Sequence, residues 1–224
     1  MVTLSGNRLN PRSFTLSTLD VAQHLGRIVR FGGSVKGWWT VLQHSLLVAR
    51  LMHKYLDDPR LEICGLHHDD AEVLTGDVVR AWKSPETAAL QAMLDTVIGA
   101  SLGLPDFTED DRVVVKEYDD LACKVEAHVM APIVVTRHPT SFGPLENAEK
   151  HFKEGLFDGL WSGDLAADMH STWNADGALI RMFVAEHERL MKACGMEIRP
   201  PRAITLPGVD GALPIDDRTT GFAL

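Results

Sequence analysis

The run His67-His68-Asp69-Asp70-Ala71-Glu72 constrains this chain more than any other stretch, because it lies inside what reads as one amphipathic helix from Pro59 to Leu74. Pro59 suits a first helical turn, Asp58 can cap it, and Gly76 marks a C-terminal stop. On such a helix His68 and Glu72 stand four apart and Asp69 and Glu72 three apart, so the three side chains share a face. Asp69, Asp70, Glu72 and Asp77 crowd around the His pair and repel one another on a plain solvated helix, and a divalent cation relieves that repulsion. Imidazole and carboxylate hold such an ion, and a carboxylate beside it can take a proton from water. The alternative is a charged helix face with one capped histidine.

Helical spacing recurs along the rest of the chain. Residues 1–14 read as a loop, and Thr18–Leu25 as a short helix capped at Ser17 or Thr18. From Val41 to Tyr55 the residues Leu42, Leu46, Val48, Ala49 and Met52 repeat at helical spacing, with His44 at the start. Asp77–Ser84 is a polar turn with Arg80 and Lys83, and Pro85–Ser101 is a helix ended by Leu102-Gly103-Leu104-Pro105. A long helix opens at Glu109 or Asp110 and runs through Met130; helices over Leu145–Phe157 and Ala175–Cys194 follow a Pro- and Gly-containing connection at 131–143. No internal repeat is present, and no strand pattern exceeds chance alternation. The expected fold is all-α.

At 224 residues the chain has room for one domain over 1–197, with a Pro/Gly-rich tail over 198–224. No apolar run reaches the roughly 18 residues that span a bilayer, and the N-terminus lacks the pattern of a signal peptide. Cys64, Cys123 and Cys194 are widely separated, as buried thiols of a cytoplasmic protein would be. A net charge of -9 argues against nucleic-acid binding, which needs a basic surface, but not against a small phosphorylated substrate held by a few converging cations. Trp38 and Trp39 sit in a Gly-rich loop, where adjacent rings either plug the core edge or line a pocket.

The ordered set His44, then His68-Asp69, then an Asp on a later helix resembles the HD-domain metal phosphohydrolases, whose signature is one His, a His-Asp pair and a distant Asp. The stretch His68 to Asp77, with Gln43-His44-Ser45, Arg30-Phe31 and Lys116-Glu117-Tyr118-Asp119, is similar to the YfbR-like 5'-deoxynucleotidases, and the block from Thr18 through Ser45 is similar to phage and prophage relatives that include dATP triphosphohydrolases. The likeness covers residues 17 to 130. It implies an HD-domain helical bundle in which His44, His68, Asp69 and Asp119 hold a divalent ion (Mn, Co, Zn, Ni or Mg). Glu72 and Asp77 become the catalytic carboxylates that orient and deprotonate water, Arg30 contacts the phosphate, and Lys83 helps neutralise it. His67 with Asp70 is a second conceivable pair, set aside because only His68-Asp69 keeps the three-residue step to Glu72. Asp119 and Asp120 point about 100 degrees apart on a helix, so only one of them faces the ion. Val78 and Val79 stand where relatives carry prolines.

The expected activity is removal of phosphate or triphosphate from a 5'-(deoxy)nucleotide, with a purine such as dATP or dAMP stacked on Trp38 or Trp39. Arg27, Arg80 and Lys83 are the candidates for holding a triphosphate. Two other readings stand beside it: a phosphodiesterase acting on a cyclic nucleotide, and a catalytically silent HD ligand-binding module. The second has no physical need for the ion ligands, Glu72 and Asp77. Homo-oligomerisation follows from the resemblance alone.

Overall fold

The computed structural model describes residues 13–130, 155–174 and 176–206, with short pieces at 3–4, 6–7 and 9–10. Apart from three two-residue strands the regular structure among the described residues is helical, joined by turns and irregular segments. The order is β1 (Leu9–Asn10), β2 (Ser13–Phe14), α1 (Thr18–Leu25), α2 (Val41–Tyr55), α3 (Pro59–Leu66), α4 (Glu72–Thr75), α5 (Pro85–Leu102), α6 (Glu109–Met130), α7 (Leu165–Trp173), α8 (Ala178–Ala193) and β3 (Ile204–Thr205). No helix is long and apolar enough to cross a membrane among the described residues.

Local chemistry sets these boundaries. Ser17 and Asp20 form a reciprocal capping box at α1, and Thr40 and Gln43 form another at α2. Asp58 caps α3 ahead of Pro59, and Ser84 caps α5 ahead of Pro85. Gly103, with φ +74°, supplies the left-handed residue that ends α5.

Helix α2 runs through the middle of the bundle and packs against α3, α6 and α8. Leu42, Leu46, Leu47, Leu51 and Met52 are buried on it, against Ile63 and Leu66 of α3 and Ile180 and Phe183 of α8. Gly65 lets α3 approach closely, since an added Cβ there would overlap the Met52 thioether. Residues 41–49 of α2 have no solvent face, and so His44 is fully enclosed, while the last turn at 53–55 is exposed.

The structure departs from the expected helix over Pro59–Leu74. α3 stops at Leu66, residues 67–71 form successive turns, and α4 is a single turn. The polar side chains compete with the helical ladder: His68 Nδ1 donates to the Gly65 carbonyl at 2.7 Å, His67 Nδ1 meets Asp70 Oδ2 at 2.8 Å, and the Ala71 N–H donates to Asp95 Oδ1 at 2.7 Å. The stop at Gly76 holds for α4, with φ +73°. The expected helix over Ala175–Cys194 begins instead at Ala178, α7 precedes it unforeseen, and the expected helix over 145–157 lies outside the described residues except for turns at Gly155–Phe157. The segment read as a tail contributes β3, which pairs antiparallel with β2.

Candidate metal centre

Three elements bring the centre together: α2 supplies His44, the turn after α3 supplies His68 and Asp69, and α6 supplies Asp119. His44 Nε2 lies 3.2 Å from Asp119 Oδ1 and 3.7 Å from Asp69 Oδ2; His68 Nε2 lies 3.2 Å from Asp69 Oδ2 and 4.0 Å from Asp119 Oδ1. Ligand atoms of His44, His68 and Asp119 all fall within 4.8 Å of one another. Despite those short separations neither Nε2 has hydrogen-bond geometry to any partner, and both are buried. Two buried imidazole nitrogens aimed into one space between two carboxylates fit a divalent cation of the Mn–Zn class.

The far side of each imidazole is fixed. Glu126 on α6 meets His44 Nδ1 at 2.5 Å, and His68 Nδ1 donates to the Gly65 carbonyl. Both histidines therefore keep a proton on Nδ1 and turn Nε2 to the shared space, the orientation from which a cation displacing any Nε2 proton would be ligated. Glu126 escaped the sequence reading. Its signal was there: it follows Asp119 by seven residues, two turns along the same face, among the apolar buried set Ala122, Val125 and Ala127.

Electrostatics point the same way. Burial works against a charged His68, but Asp69 and then Asp119 outweigh it and push its pKa up to about 10. His44 is raised too: burial and Arg30 oppose its charge, while Glu126 and Asp119 favour it more. Burial alone would raise Asp69 and Asp119, yet the imidazoles hold both well below the usual carboxylate range. The cluster thus demands positive charge, which imidazolium protons or a divalent cation can provide.

A cavity of about 590 Å³ opens beside this cluster and is lined by His68, Asp69, Asp119, Glu72 and Lys83 among others. Glu72 Oε2 is buried without a hydrogen-bond partner; burial, then Asp69 and Asp77, push the Glu72 carboxyl up to about 9. Burial also raises the Asp77 carboxyl, with Asp69 adding to the shift and Arg30 opposing it; Asp77 is outside the cavity lining.

The remaining expected residues fall elsewhere. Arg30 is buried behind the centre, with Nε 3.2 Å from Glu126 and Nη1 3.7 Å from Asp69, and it is outside the cavity lining. It holds ligands and their supports in place. Trp39 fills the core against Phe157, and Trp38 donates to Thr172 Oγ1 at 2.8 Å and stacks edge-on with Trp173. The core-edge reading of this pair replaces the stacking role, because neither ring lines the cavity. Asp120 points outward to Arg80 and Lys116, and Arg27 caps the Gln23 and Trp173 carbonyls. His67 and Asp70 form a separate buried chain in which His67 Nε2 meets His187 Nδ1 at 3.0 Å.

A second group, His53, Asp57 and Glu62, also falls within ligand distance, but His53 and Asp57 are largely exposed and Arg189 already neutralises Glu62 at 2.7 Å. Fold and site together define a helical protein with a buried His/carboxylate cluster at the mouth of a nucleotide-sized cavity. A scan against protein-family models and a search of curated proteins each return no match.

Proposed function

We propose that this protein is a metal-dependent phosphohydrolase of the HD type, removing phosphate or triphosphate from 5'-(deoxy)nucleotides. The observation that carries the reading is the pair of buried, unpartnered Nε2 atoms of His44 and His68, set between Asp69 and Asp119 with their far sides fixed. A divalent cation held there supplies a Lewis acid for a phosphoryl oxygen and acidifies water.

The chain's own residues supply the remainder. Glu72, with its free oxygen in the cavity and its pKa raised, can accept a proton from an attacking water near neutral pH once the neighbouring charge is balanced. Asp77 orients that water from the other side of the turn. Lys83, exposed at the rim, and Lys116, on the α6 wall, offer positive charge to phosphate oxygens. Arg30 keeps Asp69 and Glu126 ionised and in register.

The test is product analysis with stripped protein reloaded with Mn, Co, Zn, Ni or Mg, across the NMPs, dNMPs, NTPs and dNTPs, with Asp69→Ala as control. Phosphate from monophosphates, lost in the variant, supports a nucleotidase; triphosphate from a dNTP supports a triphosphohydrolase. No turnover with any ion would overturn the proposal and leave a cyclic-nucleotide diesterase or a binding module.

A further inference from the structure

The cavity extends well past the ion cluster, between α5 and α6, and its far walls have a composition of their own. On α5 the residues Ala88, Ala92 and Gly99 leave a flat, open face, and Phe107 stands in the loop that follows the helix. Two polar side chains interrupt that face one turn apart, Gln91 and Asp95.

Both line the cavity, and each keeps one acceptor oxygen that makes no hydrogen bond among the described residues. Asp95 Oδ1 is occupied by the Ala71 N–H, while its other oxygen makes no hydrogen bond among the described residues. Gln91 Nε2 donates to Thr75 Oγ1 at 2.8 Å, and the Thr75 hydroxyl passes its own proton to the Ala71 carbonyl at 3.2 Å. That relay fixes the Gln91 amide, so its carbonyl oxygen is the atom left for a ligand. Across the slot, Arg112 on α6 offers guanidinium donors that make no hydrogen bond among the described residues, its backbone N–H being held by the Thr108 carbonyl.

We propose that this slot is the base subsite, and that Asp95 and Gln91 select an amino-bearing nucleobase over uracil, thymine or hypoxanthine. The proposal rests on the nucleotide reading above. A planar ring fits the small-residue face, its amino group donates to Asp95 and Gln91, and its acceptor edge meets Arg112. A carbonyl in place of the amino group sets oxygen against oxygen and leaves a buried acceptor unpaired. Burial holds the Asp95 carboxyl up to about 8, so its acceptor role is fullest above that pH, while the Gln91 oxygen accepts at any pH.

Matched pairs test this: dCMP against dUMP and dAMP against dIMP, which exchange the amino group for a carbonyl and turn the adjacent ring nitrogen from acceptor to donor, and dGMP against dIMP, which removes an amino group alone, or their triphosphates, assayed above pH 8. At least one amino member is expected to win by on the order of 10- to 100-fold in kcat/KM, and Asp95→Asn to collapse that ratio while Mn affinity stays unchanged. Ratios within about twofold in every pair, or an equal loss for both members in Asp95→Asn, overturn the subsite. Equilibrium binding of the matching deoxynucleosides separates the two claims. Amino-selective, Asp95-dependent binding without turnover upholds the subsite and sinks the hydrolase reading; turnover without discrimination does the reverse.

Discussion

At the scale of single residues, the centre is governed by what stands behind the ligands. Glu126 is fully buried, yet Arg30 and His44 hold its carboxyl below the usual range against the burial that would raise it. Removing it frees the His44 ring to rotate and leaves Arg30 facing Asp69 alone. Glu126→Ala is therefore expected to weaken Mn binding by roughly 10- to 100-fold, read by calorimetry, without removing any ligand. Asp95 gives a second residue-scale expectation. Its carboxyl stays protonated in the folded protein up to about 8, through burial and then the neighbouring Asp70 and Asp69, but ionises near its ordinary value once unfolded. The folded state binds the extra proton between those limits, so stability falls as pH rises through that window. The slope is at most about 1.4 kcal/mol per pH unit, and Asp95→Asn should flatten it in urea titrations with chelator present.

At the scale of elements, the break between α3 and α4 explains what the sequence could and could not reveal. Spacing and capping chemistry located α1, α2, α5 and α6 nearly to the residue; α5, which lacks a clear apolar period, was bracketed by Ser84-Pro85 at its start and Gly103 at its end. The same reasoning merged α3 with α4, since periodicity registers apolar spacing and is blind to side chains that take over backbone partners. The merged helix would also have defeated the site. Neighbours on a helix diverge by about 100 degrees, and His68 and Asp69 reach one point, 3.2 Å apart, only because the backbone has left the helix. Gln91 and Asp95 were invisible for a related reason: their roles depend on which distant stretch of chain comes to face them, whereas Glu126 shares a helix face with Asp119. The His67–Asp70 pair, similarly, is a structural lock on this turn, closed by His187 from α8. Burial and then His67 hold the His187 pKa down to about 3, so the unfolded chain takes up the proton first as acid is added. Stability is thus lost as pH falls from the ordinary histidine value toward 3. His187→Gln, which keeps a donor for His67, should make the urea midpoint less steep over that range by up to about 1.4 kcal/mol per pH unit.

At the scale of the whole molecule, a cation at the centre would join α2, the turn after α3 and α6, and folding and binding become linked. At a free concentration about 100 times the Kd the gain is about 2.7 kcal/mol, which for a chain of this size raises Tm by roughly 5–11 °C. A thermal melt with and without Mn should show the shift, and Asp69→Ala should abolish it. The C-terminal segments matter as much to this framework as the helices that hold the ligands. Gln43, next to His44, donates to the Leu160 carbonyl at 2.7 Å, Arg50 reaches the Leu156 and Asp158 carbonyls, and Arg189 secures Glu62. A gene fragment stopping after α6 would thus encode all four candidate ligands, with Glu126 and Arg30 behind them, and lose the C-terminal contacts that brace α2 and α3. Such a fragment, carrying residues 1–130, should bind Mn no better than an unfolded peptide, and so the candidate ligand set and the capacity to use it are separately heritable.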